Sequence, residues 1–109
     1  NHLACAAVLL VLEVIESENL MQNASEISNY FQEKANGLPK LKATKGRGLM
    51  LGLEFDFPIS ELRKQLIYNH HIFTGGSKNP NIIRILPPLT IQKKHIDCFF
   101  EALEMELEK

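Results

Sequence analysis

The chain opens on an apolar run, Leu3 to Leu12, followed by Glu13 and Glu16 before Ser17. A helix over Leu3–Ser17 would be apolar nearly all round, and such a helix needs burial on more than one side. Next, Leu20, Ala24, Ile27 and Phe31 recur at intervals of four, three and four, which is one face of a second helix. Asn19 is its candidate N-cap, and Gly37 followed by Pro39 stops it. The period then changes. Leu49, Leu51, Leu53 and Phe55 alternate with Met50, Gly52 and Glu54, a strand pattern for which Lys40–Lys45 is a candidate partner. Gly46 and Gly48, just before, imply a tight bend or a close approach by another backbone. Ser60 can cap a short helix that carries Leu62 and Leu66 and ends near His71.

Ile72–Thr74 and Ile82–Leu86 read as two further strands, joined by the turn-rich stretch from Gly75 to Asn81 and closed by Pro87-Pro88. Ile96, Phe99, Phe100, Leu103 and Leu107 mark a last amphipathic helix. The expected order is ααββαββα. Strands and helices do not alternate singly, which argues against a parallel doubly wound sheet. The expected fold class is α+β, a small antiparallel sheet of three or four strands covered by helices.

Composition narrows the classes that remain. With 109 residues, 45% of them hydrophobic and 23% charged, the chain is one globular domain that would bury roughly two-thirds of its unfolded surface. It is not a disordered tail or a collagen-like repeat. Two cysteines, Cys5 and Cys98, make no disulfide framework and point to a reducing cytoplasm. The opening apolar run is ten residues long, short of the ~20 that span a bilayer. No Lys or Arg precedes it, so the basic start of a signal peptide is missing. No membrane association is expected. Residue 1 is Asn, with no polar boundary before the apolar run, so the chain reads as a fragment whose first helix has lost a partner.

Charge is unevenly placed. Residues 1–33 carry five acids and no Lys or Arg, whereas residues 34–94 carry eleven bases against Glu54, Asp56 and Glu61. The tail from Ile96 turns acidic again. A basic middle suits an anionic partner or is simply a solvated lysine-rich face.

Arg84 is the sharpest position, an Arg inside the apolar strand Ile82–Leu86. Alternation sets it on one face with Ile82 and Leu86, opposite Ile83 and Ile85. There its planar fork can grip a carboxylate at two points. The competing readings are an edge-strand Arg reaching for water, or one paired with an internal Glu. His70 and His71 are adjacent and diverge, His2 and His95 stand alone, and no metal-ligand spacing occurs. Cys5 and Cys98 read as inert packing residues. Gly75-Gly76-Ser77-Lys78 lacks the spacing of a phosphate loop, and Gly46-Arg47-Gly48 reads as a bend. No Ser, Cys or Thr has a base beside it, so no catalytic residue is assigned.

Three blocks now stand in order: Asn1-His2-Leu3-Ala4-Cys5-Ala6-Ala7, Gly46-Arg47-Gly48-Leu49-Met50-Leu51-Gly52-Leu53-Glu54 and Ile83-Arg84-Ile85-Leu86-Pro87-Pro88-Leu89-Thr90-Ile91. They resemble the C-terminal small domain of class III (ornithine-type) pyridoxal-phosphate aminotransferases, and most of all the acetylornithine- and succinylornithine-using branch. His2 departs from the pattern, standing where the family more often has Pro. The resemblance covers essentially the whole chain and implies that residues 1–109 are a single small domain. Its helix over residues 1–17 would pack at the junction with a missing large domain.

The resemblance also implies a homodimeric enzyme that moves an amino group between N-acylornithine and 2-oxoglutarate in arginine biosynthesis. Pyridoxal 5'-phosphate would sit on a large-domain lysine upstream of Asn1, and no lysine here takes that role. By motif, Arg84 matches the arginine that binds the substrate α-carboxylate. The isolated fragment would be inactive and bind no cofactor. Two other readings stay open: a free-standing carboxylate-binding regulatory module built on Arg84, and a nucleic-acid binder using the basic middle. The last is weakened by the scarcity of aromatic residues free to stack on bases.

Overall fold

The computed structural model describes residues 1–109. Its elements are α1 (His2–Ser17), α2 (Leu20–Asn36), β1 (Leu41–Arg47), β2 (Met50–Phe55), α3 (Ser60–His70), β3 (Ile82–Ile85) and α4 (Lys93–Leu107). The strands form one antiparallel meander in the order β1-β2-β3. The expected α+β class and small antiparallel sheet are what the chain adopts.

Alternation decides the two faces of the sheet. Leu51 lies opposite Ile85 and Leu53 opposite Ile83, and these side chains, with Phe55, point inward. The helical stripes meet them there. Ile27, Phe31 and Ala35 of α2 and Ile96, Phe99, Phe100, Leu103 and Leu107 of α4 are all buried in one core with Leu53, Phe55 and Ile83. The aromatic rings lock this layer, with Phe31 5.0 Å from Phe100 and Phe99 5.3 Å from Phe100, centroid to centroid. The β1–β2 turn is Gly48-Leu49, with a positive φ of 55° at Gly48, where a two-residue type II′ hairpin places glycine. At Gly46 a Cβ would fall 1.7 Å from the Met50 carbonyl oxygen, so this hairpin closes only on glycine.

Three local expectations change. Ile72–Thr74 is not a strand. The segment touches the sheet through a single antiparallel bridge between Gly75 and Arg84. Its polar groups are committed to α3: the Ile72 N–H donates to Leu66 O and the Thr74 carbonyl accepts from Arg63. Ser60 is already the first helical residue of α3. Ile59 holds the cap position, buried at 4% exposure with its N–H on Pro80 O, so core packing outweighs side-chain capping. Asn19 does precede α2 but adopts a left-handed conformation and makes no side-chain cap bond. It serves as the corner between α1 and α2.

α1 stands apart. The Asn1 side chain caps it at Leu3 N and Ala4 N (2.9 and 3.2 Å), yet none of its residues is buried. Leu3, Val8, Leu9, Leu10, Val11 and Leu12 are each more than half exposed. No helix of the chain is long and apolar enough to cross a membrane.

Two polar clusters fasten α4 to its neighbours. Near its start, the Tyr30 hydroxyl donates to Asp97, whose carboxylate also meets Lys34 at 3.3 Å. The Tyr30 bond and then Lys34 hold the Asp97 carboxyl below its ordinary value, and Asp97 in turn raises both Tyr30 and Lys34. At its other end Glu106, a side chain only 2% exposed, accepts from Asn69 (3.1 Å) and Lys109 (3.1 Å) and meets His70 Nε2 at 2.9 Å. The Asn69 amide leads in holding this carboxyl below its ordinary value, with His70 and Lys109 adding to it against the opposing effect of burial.

Phe100→Ala should therefore cost about 3–5 kcal/mol of unfolding free energy, read by urea denaturation. The two depressed carboxyls set the acid response. Their stabilisation is complete above the ordinary carboxylate range, ~4, and is lost as pH falls through the lower folded-state values. Midpoints measured against pH should decline below that range, and Glu106→Gln should flatten the decline.

Candidate functional site

Since Ile83 is held in the core at 0% exposure, the pleat turns Arg84 to the opposite, outer face. There it lies across from Gly52 of β2, which in turn lies across from Lys45 of β1. A Cβ at Gly52 would come within 3.3 Å of the Ile82 side chain and 3.5 Å of Lys45 Cβ. Gly52 is thus buried between the side chains that flank it and sets none of its own beside Arg84. Arg84 is exposed and joins none of the chain's five ion pairs. The sheet's single acid, Glu54, is engaged by Lys45 at 3.8 Å and by Asn79 at 3.3 Å. The reading of Arg84 as the partner of an internal Glu is therefore overturned.

Along the outer edge of β3, where Ile72–Thr74 fails to pair, a cleft of about 450 Å³ opens between β3 and α4. Its walls are mainly apolar, among them Ile72, Ile85, Ile91 and Phe99, with Arg84 and His95 as its basic members and no acid. A concave apolar site accepts a small molecule, and Arg84 borders this one from β3 with its side chain on the sheet's outer face. A guanidinium offers a carboxylate two parallel N–H bonds. No nucleophile among the lining residues is hydrogen-bonded to a base: His95 Nδ1 accepts the Gln92 N–H.

Residues 1–107 match the aminotransferase class-III family. The chain belongs to the class-III aminotransferases. It is 45% identical over 108 residues to the acetylornithine aminotransferase of Aquifex aeolicus, matching 94% of this chain and 26% of that protein. It is 34% identical over 106 residues to the ornithine aminotransferase of Oceanobacillus iheyensis, again 26% of that protein. The chain thus spans about a quarter of the length of these relatives. Among solved structures, the adenosylmethionine-8-amino-7-oxononanoate aminotransferase of Methanocaldococcus jannaschii superposes with a TM-score of 0.77 at 26% identity, over 99% of this chain and 28% of that one. The ornithine delta-aminotransferase of Plasmodium falciparum shares the fold, with a TM-score of 0.81 at 24% identity over 99% of this chain and 29% of that one.

Class-III aminotransferases depend on pyridoxal phosphate, and these residues do not fit that group. Its aldehyde needs a lysine amine, and no lysine lines the cleft. Its phosphate needs several converging donors, and in the Gly75–Asn81 loop Ser77 Oγ donates to Asn79 O, the Asn81 N–H to Asn79 Oδ1, the Asn79 amide to Glu54 and the Gly75 N–H to Arg84 O.

The remaining sequence candidates scatter. His70 is taken by Glu106, His71 ends α3 in a left-handed conformation, and His95 Nδ1 accepts the Gln92 N–H at the start of α4. No group of three metal-ligating side chains comes together in the class-III aminotransferase chain. The basic middle is dispersed as well, with Lys34 and Lys93 over the Tyr30 ring and Lys40 on the Leu107 carbonyl. One residue escaped sequence reading altogether: Arg63 donates to Thr74 O across the α3–β3 connection, a contact with no local spacing to announce it.

Cys5 and Cys98 are corrected from packing residues to exposed free thiols, Cys98 at the cleft wall. Cys98 falls off the buried stripe of α4, and Cys5 lies on α1, which buries none of its residues. Titration of the native chain with a thiol reagent should modify both cysteines at the rate of accessible thiols, without the lag that unfolding would impose.

Proposed function

We propose that residues 1–109 form the C-terminal small domain of an acetylornithine- or succinylornithine-type aminotransferase. The whole enzyme moves an amino group between an N-acylornithine and 2-oxoglutarate in arginine biosynthesis, in the cytoplasm. Arg84 binds the substrate α-carboxylate. The observation that carries this reading is an outward, exposed guanidinium without an ion pair, across from a glycine and at the border of a cleft without acids. The amino donor and the 2-oxo acid both carry an α-carboxylate that one guanidinium can hold. It is next to the reacting carbon in the 2-oxo acid, whereas in an N-acylornithine the amine transferred is the terminal one and the carboxylate lies at the other end of the side chain. In the 2-oxo acid, holding that carboxylate at two points limits rotation about the reacting carbon and presents a single orientation of it.

In this reading pyridoxal phosphate and its lysine belong to a large domain outside these residues. A second subunit completes the enzyme, and the isolated piece is inactive. α1 supports the arrangement: an apolar helix with no buried residue fits the seam between small and large domains. A free-standing carboxylate-binding module would leave Leu3 and Val8 to Leu12 in water, which disfavours that alternative.

The deciding experiment is Arg84→Lys in the full-length enzyme. Lysine keeps the charge but loses the planar fork. Specificity constants for the amino donor and the 2-oxo acid should both fall, by about tenfold or more, equivalent to ~1.4 kcal/mol. Values within about twofold of the parent for both substrates, below ~0.5 kcal/mol, would remove Arg84 from the site.

A further inference from the structure

Arg84 is held by β2 on one side and by almost nothing on the other. β3 is four residues long, and its far edge meets the chain again at the lone Gly75 bridge. There the Gly75 N–H donates to Arg84 O at 2.8 Å and the Arg84 N–H donates to Gly75 O at 2.9 Å. The approach is close: a Cβ on Gly75 would lie 3.4 Å from Arg84 O and 3.5 Å from Arg84 Cβ. An isolated bridge has no flanking ladder to support it, so something else must hold the Thr74–Gly76 segment in place.

Arg63 does so. From the first turns of α3 its Nη2 donates to the Thr74 carbonyl at 2.8 Å. Its guanidinium packs beneath the next two residues, where a Cβ on Gly76 would meet Nη1 at 3.0 Å. Arg63 joins no ion pair, and its Nε is buried without a partner. A cationic side chain has been brought half inside the protein for a single backbone carbonyl. That carbonyl belongs to the residue before Gly75, and the absence of side chains at Gly75 and Gly76 admits β3 on one side and Arg63 on the other.

We infer that Arg63 is a positioning residue for substrate binding, acting through Thr74 and the Gly75 bridge to fix the backbone from which Arg84 projects. This rests on the reading of Arg84 as the carboxylate clamp. A charge-assisted bond to a half-buried carbonyl is stronger than a neutral one, so α3 and β3 move as one body at this point. Substrate affinity is then sensitive to a residue that touches no substrate.

The test uses the full-length enzyme with Arg63→Met, which keeps the length of the stem and removes every donor, and Arg63→Lys, which restores one cation. Arg63→Met should raise KM for both the amino donor and the 2-oxo acid about fivefold with kcat within about twofold, and Arg63→Lys should recover most of that loss. Hydrogen exchange in peptides covering Gly75 and Arg84 should speed up in the Met variant. A purely structural role predicts the opposite split, less active enzyme with both KM values unchanged, and that result overturns the inference, as does unchanged exchange.

If the Met variant fails to fold, Gly76→Ala displaces Nη1 from outside, and both KM values should shift in the same direction by a smaller factor. Unchanged KM values there also overturn the inference. Arg84→Lys run alongside separates the two proposals. A loss of affinity there with none in the Arg63 variants removes only Arg63, whereas no loss in Arg84→Lys removes the clamp itself.

Discussion

Ile83 and Arg84 are neighbours on a strand of four residues, and the pleat sends successive side chains to opposite faces. The core claims Ile83 completely. The outward direction of Arg84 follows with no further interaction to specify it. A slip of one residue in the β2–β3 register would bring the guanidinium against Phe31 and Phe100 and expose the isoleucine. Both changes are costly, the first far more so because nothing in that layer could pair with the charge. The apolar layer beneath the sheet is therefore also what aims the cation above it.

The helices serve the same end. α4 forms one wall of the cleft through His95, Ile96 and Phe99, so its position relative to β3 sets the shape of the space beside Arg84. Its two polar clusters act on different partners. Asp97 ties its first turns to α2 through Tyr30 and Lys34. Glu106 ties its last turns to α3 through Asn69 and His70. Neither cluster touches the cleft. They hold one wall of it while leaving the lining free of acids that would compete for a cationic side chain.

How much of this was legible from the residues depends on the range of the interaction. Patterns that repeat along one element were read directly: the alternation of Leu49 to Phe55, the stripe from Ile96 to Leu107, and the setting of Arg84 on the face opposite Ile83. Misreadings arose where a distant partner decided the outcome. Ile72–Thr74 has the β-branched composition of a strand, but its backbone groups bond to α3. Ser60 has the chemistry of a cap, but burial of Ile59 sets where α3 begins. Cys98 follows Ile96 in an apolar-looking helix yet falls just off the buried stripe. The contact from Arg63 to Thr74, and the cleft that the absent fourth strand leaves behind, have no local signature, because each depends on how far the α3–β3 connection departs from the sheet.

The bare apolar surface of α1 also has a thermal consequence. Burial of Leu3 and of Val8 to Leu12 against any partner removes hydrocarbon from water, so that association carries a negative heat-capacity change. Near room temperature its driving force is mostly the entropy of released water, and it weakens on cooling. The hydrogen-bonded sheet and the ion-paired ends of α4 do not share that dependence. A protein joined through α1 would accordingly loosen at this seam as temperature falls.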